Sequence, residues 1–96
     1  MAIMLDGTVM IDRVSAHSHL VERLGLPTYY GRNLDALADC LSEVPRDTAI
    51  VIYNADAARD ALGDYADDLF EVFSEISQNG GFLLAVGEPA EGEQLF

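Results

Sequence analysis

The sequence predicts an α/β fold in which a small three-stranded parallel sheet packs against about four helices. Three short apolar runs, at residues 2–5, 49–53 and 82–86, have the length and composition of strands. The segments between them carry helical periodicity and contain no tight hairpin, so each should cross over the sheet. A chain of 96 residues, 50% of them hydrophobic, has room for one ordinary core. We therefore predict a single domain at 1–86 and a flexible C-terminal tail at 87–96.

The first strand is predicted at Ala2–Leu5, where apolar residues follow one another without a helical period. The pair Asp6-Gly7 is a strong turn signal and ends this strand. Helix one follows, with Ser15 as its N-cap and Gly25 just past its end. One face of this helix carries the apolar residues Leu20, Val21 and Leu24.

The next segment combines an irregular loop with a second helix. Residues 26–32 contain a proline, two adjacent tyrosines and a glycine, which is typical of an ordered loop. Asn33 is a favoured N-cap residue, and apolar side chains recur after it at three- and four-residue spacing. We predict helix two over Leu34–Val44, ended by Pro45, with Leu34, Leu37, Leu41 and Val44 on its apolar face.

The middle of the chain predicts a central strand and a short helix. The run Ala49–Tyr53 is apolar throughout and β-branched in its middle, which is typical of a strand covered on both faces. Either Asn54 or Asp56 can cap a short helix that ends near Gly63.

The last part of the chain predicts a long helix and a final strand. Asp64 can cap this helix, whose apolar face consists of Tyr65, Leu69, Val72, Phe73 and Ile76. The sequence Asn-Gly-Gly at 79–81 should stop it. Phe82–Val86 is short, apolar and bounded by glycines, so we predict the third strand there. From Gly87 onward the Gly, Pro and Glu content predicts the tail.

The composition restricts the class of partner. Seventeen Asp and Glu against five Lys and Arg give a net charge of −12, which disfavours nucleic acids and anionic membranes and favours a basic protein. No apolar run approaches the ~20 residues that a membrane-spanning helix needs. The single cysteine, Cys40, excludes an internal disulfide, and no signal-peptide pattern opens the chain. We therefore predict a cytoplasmic protein.

Two aspartates and a serine on helix two form the strongest candidate site. Helical geometry places Asp35, Asp39 and Ser42 on one face, roughly opposite the apolar residues. In so acidic a chain, a solvated acidic face is the simpler interpretation of this pattern. Tyr29 and Tyr30 directly precede the helix, however, and aromatic residues beside aligned carboxylates favour binding of a basic target that itself binds anions.

Other reactive side chains are better explained as structural. His17 and His19 fall on different helix faces without a further His or Cys cluster, so we interpret them as surface or half-buried histidines and not as metal ligands. Cys40 has no activating histidine within local reach and is interpreted as a small core residue. The helix dipole favours carboxylates at the start of the last helix, where the sequence has Asp64, Asp67 and Asp68. We expect no metal and no cofactor.

The segment at residues 26–41, LPTYYGRNLDALADCL, closely resembles the signature of the barstar family of intracellular ribonuclease inhibitors. Weaker similarity extends over nearly the whole chain up to Val86, including Gly7, the helix around His17 and the strand near Ile52. The resemblance implies a three-stranded parallel sheet with helices packed on it, as the pattern predicts independently. It also implies a binding protein and not an enzyme.

The resemblance further implies which residues meet the partner. In that family the loop and second helix fill the active site of a secreted guanyl-preferring ribonuclease, and an aspartate matching Asp39 lies where a substrate phosphate would bind. Residues at positions that match family contacts, the last of them on the final helix, are Tyr29, Gly31, Asn33, Asp35, Asp39, Ser42 and Glu75.

The chain departs from the family pattern at three positions near this segment. Ala38 and Val44 stand where a family member carries tryptophans, which should reduce apolar contact or packing nearby. Arg32 stands where that protein has an acid, and it would repel a cationic target unless its side chain points away.

Two functions of different classes follow. The first is a cytoplasmic inhibitor that forms a 1:1 complex with a basic, secreted microbial ribonuclease and blocks its active site. The alternative is a regulatory module of the same fold that binds another basic protein. An enzyme would need paired catalytic carboxylates in a pocket, and Asp35 with Asp39 on a convex helix face provides none.

Overall fold

A computed structural model describes residues 2–87 of the chain. Within that range three strands and four α-helices follow one another as strand, two helices, strand, two helices, strand. The elements are β1 (Ala2–Asp6), α1 (Arg13–Leu24), α2 (Leu34–Leu41), β2 (Ala49–Tyr53), α3 (Ala55–Leu62), α4 (Asp64–Gln78) and β3 (Leu83–Val86). The α/β fold with a three-stranded sheet and four helices is thereby confirmed.

The sheet is parallel throughout, in the order β1-β2-β3 with β2 at its centre. Its register aligns Ile50 of β2 with Ile3 on one side and Leu84 on the other. The prediction that β2 is covered on both faces is wrong. Ile50 and Ile52 are fully buried under the helices, whereas the residues that alternate with them stay partly exposed, because the packing covers one face only.

The core lies between that face of the sheet and the helices. Phe73 of α4 and Phe82, just before β3, are buried and meet edge to face, with ring centroids 6.2 Å apart at 73°. Helix α4 also packs against α2, which carries the candidate site. Residues contributed by α1, α2 and α4 to this core include Leu20, Leu37, Leu41 and Leu69.

Helix α1 begins three residues earlier than predicted, and its cap is Asp12, not Ser15. The Asp12 carboxylate accepts a hydrogen bond of 2.7 Å from the Ser15 backbone amide, and this bond lowers the Asp12 pKa. Ser15 is therefore the third residue of the helix. The end of the helix is as predicted, since Gly25 adopts the left-handed conformation, with φ 67°.

Helix α2 ends at Leu41, three residues before the predicted end. Ser42 is its C-cap, and the Glu43 and Val44 amides then bond to the carbonyls of Cys40 and Leu41. These bonds span three residues, not four, so the last turn tightens before Pro45. Val44 is half-buried and packs against the core despite lying outside the helix.

The caps of α3 and α4 also differ from prediction. Asn54 precedes α3, but its amide donates to the Asp6 carboxylate at 3.0 Å and does not cap the helix. Asp64 is the first residue of α4, and Gly63 takes the capping position without a side-chain bond. Neither helix therefore has a side-chain cap, and each begins directly after the turn that joins it to the preceding element. The predicted end of α3 at Gly63 is confirmed.

The strand ends shift by one residue. β1 includes Asp6, whose carboxylate accepts from the Thr8 amide and opens a short 3₁₀ helix at Gly7–Val9. β3 begins at Leu83, because Phe82 turns into the core. Most of the predicted tail, from residue 88 onward, lies outside the described residues. The single domain at 1–86 stays a prediction.

Candidate functional site

Seven residues make up the predicted contact surface, and every one of them is exposed to solvent: Tyr29, Gly31, Asn33, Asp35, Asp39, Ser42 and Glu75. They come from three parts of the fold. The loop between α1 and α2, residues 25–33 and hereafter the α1–α2 loop, supplies three of them, and α2 with its C-cap supplies three more. Glu75 lies on α4, which packs beside α2.

The two adjacent tyrosines of the α1–α2 loop point in opposite directions. The Tyr30 amide donates to the Pro27 carbonyl at 3.0 Å, which closes a turn, and the Tyr30 ring is buried. Tyr29 is 87% exposed. The turn thus presents one aromatic ring to solvent while the other anchors the loop.

The anchor is a hydrogen-bonded bridge centred on His17. His17 Nδ1 lies 2.8 Å from the Tyr30 hydroxyl, and Nε2 lies 2.7 Å from the hydroxyl of Tyr65 on α4. Burial lowers the pKa of His17 and raises the pKa values of both tyrosines, so all three groups are neutral at pH 7. His17 is only 2% exposed, so the prediction of a surface or half-buried histidine is wrong for this residue.

Arg32 ties the same loop to α1. Its guanidinium donates to the Ser18 hydroxyl at 3.0 Å, which holds the positive charge against α1. The backbone of Arg32 adopts a left-handed conformation, with φ 55°, that is uncommon for a residue with a side chain. Arg32 departs from the family pattern, and its side chain holds the positive charge against α1.

Asn33 shapes the start of α2. Its side-chain oxygen accepts from the Ala36 amide at 2.7 Å, and its side-chain nitrogen donates to the Gly31 carbonyl at 3.3 Å. A Cβ atom on Gly31 would lie 3.2 Å from that nitrogen and 3.3 Å from the Ala36 Cβ. Gly31 and Asn33 thus have a structural role in setting the direction of the helix.

Replacing Asn33 with Ala should destabilise the fold by ~1 kcal/mol, because the first turn of α2 loses its cap. Urea unfolding of the two proteins measures this difference. Asn33→Asp is the matched control, since aspartate caps a helix about as well as asparagine. Equal losses in both variants would contradict the capping role.

Asp35 and Asp39 stand on the outer face of α2, one turn apart, while Leu37 and Leu41 on the other face are fully buried. Asp35 is in the first turn, where the helix dipole favours a carboxylate, and Asp39 is too far along to benefit. The Ser42 hydroxyl donates to the Asp39 carbonyl at 2.7 Å. All three residues are exposed, as the predicted shared face requires.

A shallow cavity of about 330 Å³ between the loop and α2 brings Tyr29 and Asp39 together. Glu43 lines it as well, and sequence reasoning missed this residue. The signal was present, because Asp35, Asp39 and Glu43 follow one another at four-residue spacing. Cys40 also lines this cavity and is only partly buried, at the edge of the core.

Glu75 lies at the far end of the contact surface. Ser42 and Ile76, the residue after Glu75, line a second cavity of about 320 Å³ where the ends of α2 and α4 meet. The structure therefore brings Tyr29 and Asp39 to one cavity and bonds Ser42 to the Asp39 backbone, whereas Glu75 lines neither cavity and is related to them only through the packing of α4 on α2. Asp35 does not line either cavity and projects from the first turn of α2.

Residues 2–87 contain neither a metal-binding cluster nor a membrane-spanning helix. No group of three or more His, Cys, Asp or Glu side chains there could hold a metal ion. None of the helices in that range has the length and apolar character needed to cross a bilayer.

Known proteins resemble this chain over most of its length. The family model described as "Barstar (barnase inhibitor)" matches residues 1–88. The chain belongs to the barstar family. A Bacillus subtilis (strain 168) protein named "Putative ribonuclease inhibitor YrdF" is 40% identical over 77 residues, which cover 79% of this chain and 85% of that protein. The resemblance of the segment at 26–41 to the barstar family is thereby confirmed.

Proposed function

We propose that this barstar-family chain is an intracellular inhibitor of a small, basic, secreted microbial ribonuclease with guanyl preference. Family membership and the Bacillus subtilis relative named as a ribonuclease inhibitor support the inhibitor role. The observation that carries the finer proposal is the rigid presentation of Asp39 beside Tyr29 on the contact surface. The chain would act by blocking the ribonuclease active site in a 1:1 complex, and it would have no catalytic activity itself.

The carboxylates of α2 are free to serve a partner. Within residues 2–87, neither Asp35 nor Asp39 uses its carboxylate in a hydrogen bond or ion pair, while the α2 backbone beneath them is anchored by Leu37 and Leu41. Like charges one turn apart destabilise an isolated helix by ~0.2–0.5 kcal/mol. Asp35 recovers part of this cost from the helix dipole, but Asp39 does not, so the Asp39 carboxylate gives the fold no benefit and favours a role in binding.

The chemistry of a ribonuclease complements this surface. An enzyme that binds RNA must present cationic groups to phosphates, and carboxylates form strong charge-assisted hydrogen bonds with arginine. We place Asp39 where a substrate phosphate would bind, with Asp35, Tyr29 and Glu75 around it. Because helix packing and the Asn33 cap already hold these residues, binding should require little further ordering.

We expect the contact surface to supply enough area for a stable complex. A specific interface of standard size buries ~800 Å² on each partner. The α1–α2 loop, the outer face of α2 and the neighbouring helix α4 all carry exposed residues that can contribute to this area. Occlusion of the active site then accounts for inhibition without any change in the enzyme.

Titration of a panel of small microbial guanyl-preferring ribonucleases tests the proposal. We expect at least one enzyme to lose activity linearly until one equivalent of inhibitor is added. Full activity of every enzyme at micromolar inhibitor would instead favour the alternative, a regulatory module of the barstar fold that binds another basic protein. A pull-down from secreted proteins of the source organism would then identify that partner.

Association with the ribonuclease should slow steeply as ionic strength rises. The net charge of −12 on the inhibitor attracts a cationic enzyme at long range, and salt screens this attraction. Dissociation depends on short-range contacts, which salt screens less. Stopped-flow mixing at several salt concentrations separates the two rates. An association rate that stays constant from low to high salt would show that the acidic surface is incidental to binding.

A further inference from the structure

The Tyr30–His17–Tyr65 bridge connects three separate parts of the fold. His17 is on α1, Tyr30 on the α1–α2 loop and Tyr65 on α4, and the bridge spans 48 residues of sequence. None of the three belongs to the contact surface. Tyr30 is nevertheless the direct neighbour of Tyr29, and its amide closes the turn with Pro27. The position of Tyr30 therefore determines how Tyr29 is presented.

The bridge suits a neutral imidazole. Such a ring has one N–H donor and one acceptor nitrogen, so one tyrosine hydroxyl accepts from His17 and the other donates to it. In a protonated ring both nitrogens donate. The hydroxyl that formerly donated to His17 would then accept from the ring, and its own hydrogen would lose the imidazole nitrogen as acceptor.

The charged groups around the bridge also disfavour protonation. The Arg13 guanidinium of α1 lies 4.2 Å from the Tyr65 ring centroid, and Arg32 of the α1–α2 loop adds a second positive charge. Burial first, and then these two arginines, lower the pKa of His17. Asp68 on α4 acts on Tyr65 and not on the imidazole itself.

We propose that neutral His17 is a positioning residue for the contact surface, and that its protonation loosens the α1–α2 loop and weakens binding of the ribonuclease. The part about binding rests on the proposed function, while the part about the loop concerns the free protein alone. The direction of the pH effect on stability follows from the linkage between protonation and folding. A histidine whose pKa is lowered by folding contributes stability above its unfolded pKa of ~6.5, and that stability is lost as the pH falls below this value.

Hydrogen exchange in the free protein tests the bridge. Tyr65→Phe removes one hydroxyl on α4 and leaves the α1–α2 loop untouched. At neutral pH we expect the Tyr30 amide to exchange roughly fivefold to tenfold faster in this variant, the effect of losing one hydrogen bond. The amide of Ile52, in the central strand, serves as the internal reference. An unchanged Tyr30 amide, or equal acceleration at Ile52, would overturn the positioning role.

The pH profile of dissociation tests the link to binding. The complex with one ribonuclease is measured between pH 5.5 and 7.5 for the wild type, His17→Gln and His19→Gln. His19 is the matched control, because its Nε2 accepts from the Asp6 amide of β1 and takes no part in the bridge to the α1–α2 loop. Titration of the enzyme is common to all three complexes, so differences between their profiles report on the inhibitor.

We expect dissociation to accelerate toward pH 5.5 in the wild type and in His19→Gln, and to change less in His17→Gln. Parallel profiles in all three would overturn the role in binding. If His17→Gln does not fold, Tyr30→Phe takes its place, since it also disconnects the loop. If no ribonuclease binds, the proposed function fails, and the exchange experiment still decides whether His17 positions the loop.

Discussion

Replacing Asp39 with Ala should abolish most of the inhibition while leaving the protein folded and at least as stable. The substitution removes an exposed carboxylate that has no partner among residues 2–87, raises helix propensity by up to ~0.7 kcal/mol and relieves repulsion from Asp35. Binding should weaken by at least ~2 kcal/mol, a factor of about thirty. In the barstar family the matching aspartate is a strong binding hot spot. The size of the loss expected here is based on that resemblance.

Asp67→Ala is the control for Asp39→Ala. Asp67 lies in the first turn of α4, 3.4 Å from the Arg59 guanidinium, and is outside the contact surface. Its loss should lower the melting temperature slightly and leave inhibition unchanged. Both variants are melted and titrated against the same enzyme. The assignment of Asp39 would be contradicted if Asp39→Ala unfolded the protein, or if Asp67→Ala weakened inhibition to the same extent.

Replacing Phe73 with Ala should produce the largest loss of stability, ~3–5 kcal/mol. Phe73 is fully buried, and its ring meets Phe82 next to β3, so truncation leaves a cavity between α4 and the sheet. A domain of this size has a total stability of ~5–15 kcal/mol, so the variant should unfold at much lower urea concentration. Urea unfolding monitored by circular dichroism measures the change.

Two further variants show whether the loss is due to the cavity. Phe73→Leu keeps much of the buried volume and should be destabilised less than Phe73→Ala. Tyr29→Ala removes an aromatic ring that is 87% exposed, so it should leave stability unchanged and weaken inhibition. A Phe73→Ala variant as stable as the wild type would contradict the described core. Equal destabilisation by Tyr29→Ala would contradict the exposed position of that ring.

The sequence predicted the elements better than their ends. Apolar periodicity depends on burial, which is why the order of strands and helices and the buried face of α2 were predictable from residues such as Leu37 and Leu41. Which residue caps a helix depends on which nearby side chain lies within hydrogen-bond distance of the free backbone amides. Asp12 rather than Ser15 caps α1, and Gly63 rather than Asp64 precedes α4, and nothing in the local pattern distinguishes these alternatives.

The candidate site was predictable only in part. The exposed face with Asp35 and Asp39 follows from helical geometry, and the resemblance of the α1–α2 loop to the barstar family supplied the remaining contact positions. The anchoring of that loop could not be predicted, because His17 meets Tyr65 from 48 residues away. A lone histidine in a sequence carries no sign of such a partner. No sequence pattern predicts the left-handed backbone of Arg32 or the hydrogen bond from its side chain to Ser18 either.

The central claim is that the contact surface occupies the ribonuclease active site with Asp39 at a phosphate position. Competition with a guanosine monophosphate bound in that active site tests it most directly. The apparent dissociation constant of the inhibitor is measured, by displacement, at increasing nucleotide concentration. We predict that it rises linearly with nucleotide concentration, without a plateau, because enzyme with nucleotide in its active site binds no inhibitor. An apparent dissociation constant that stays constant as the active site fills would contradict occlusion.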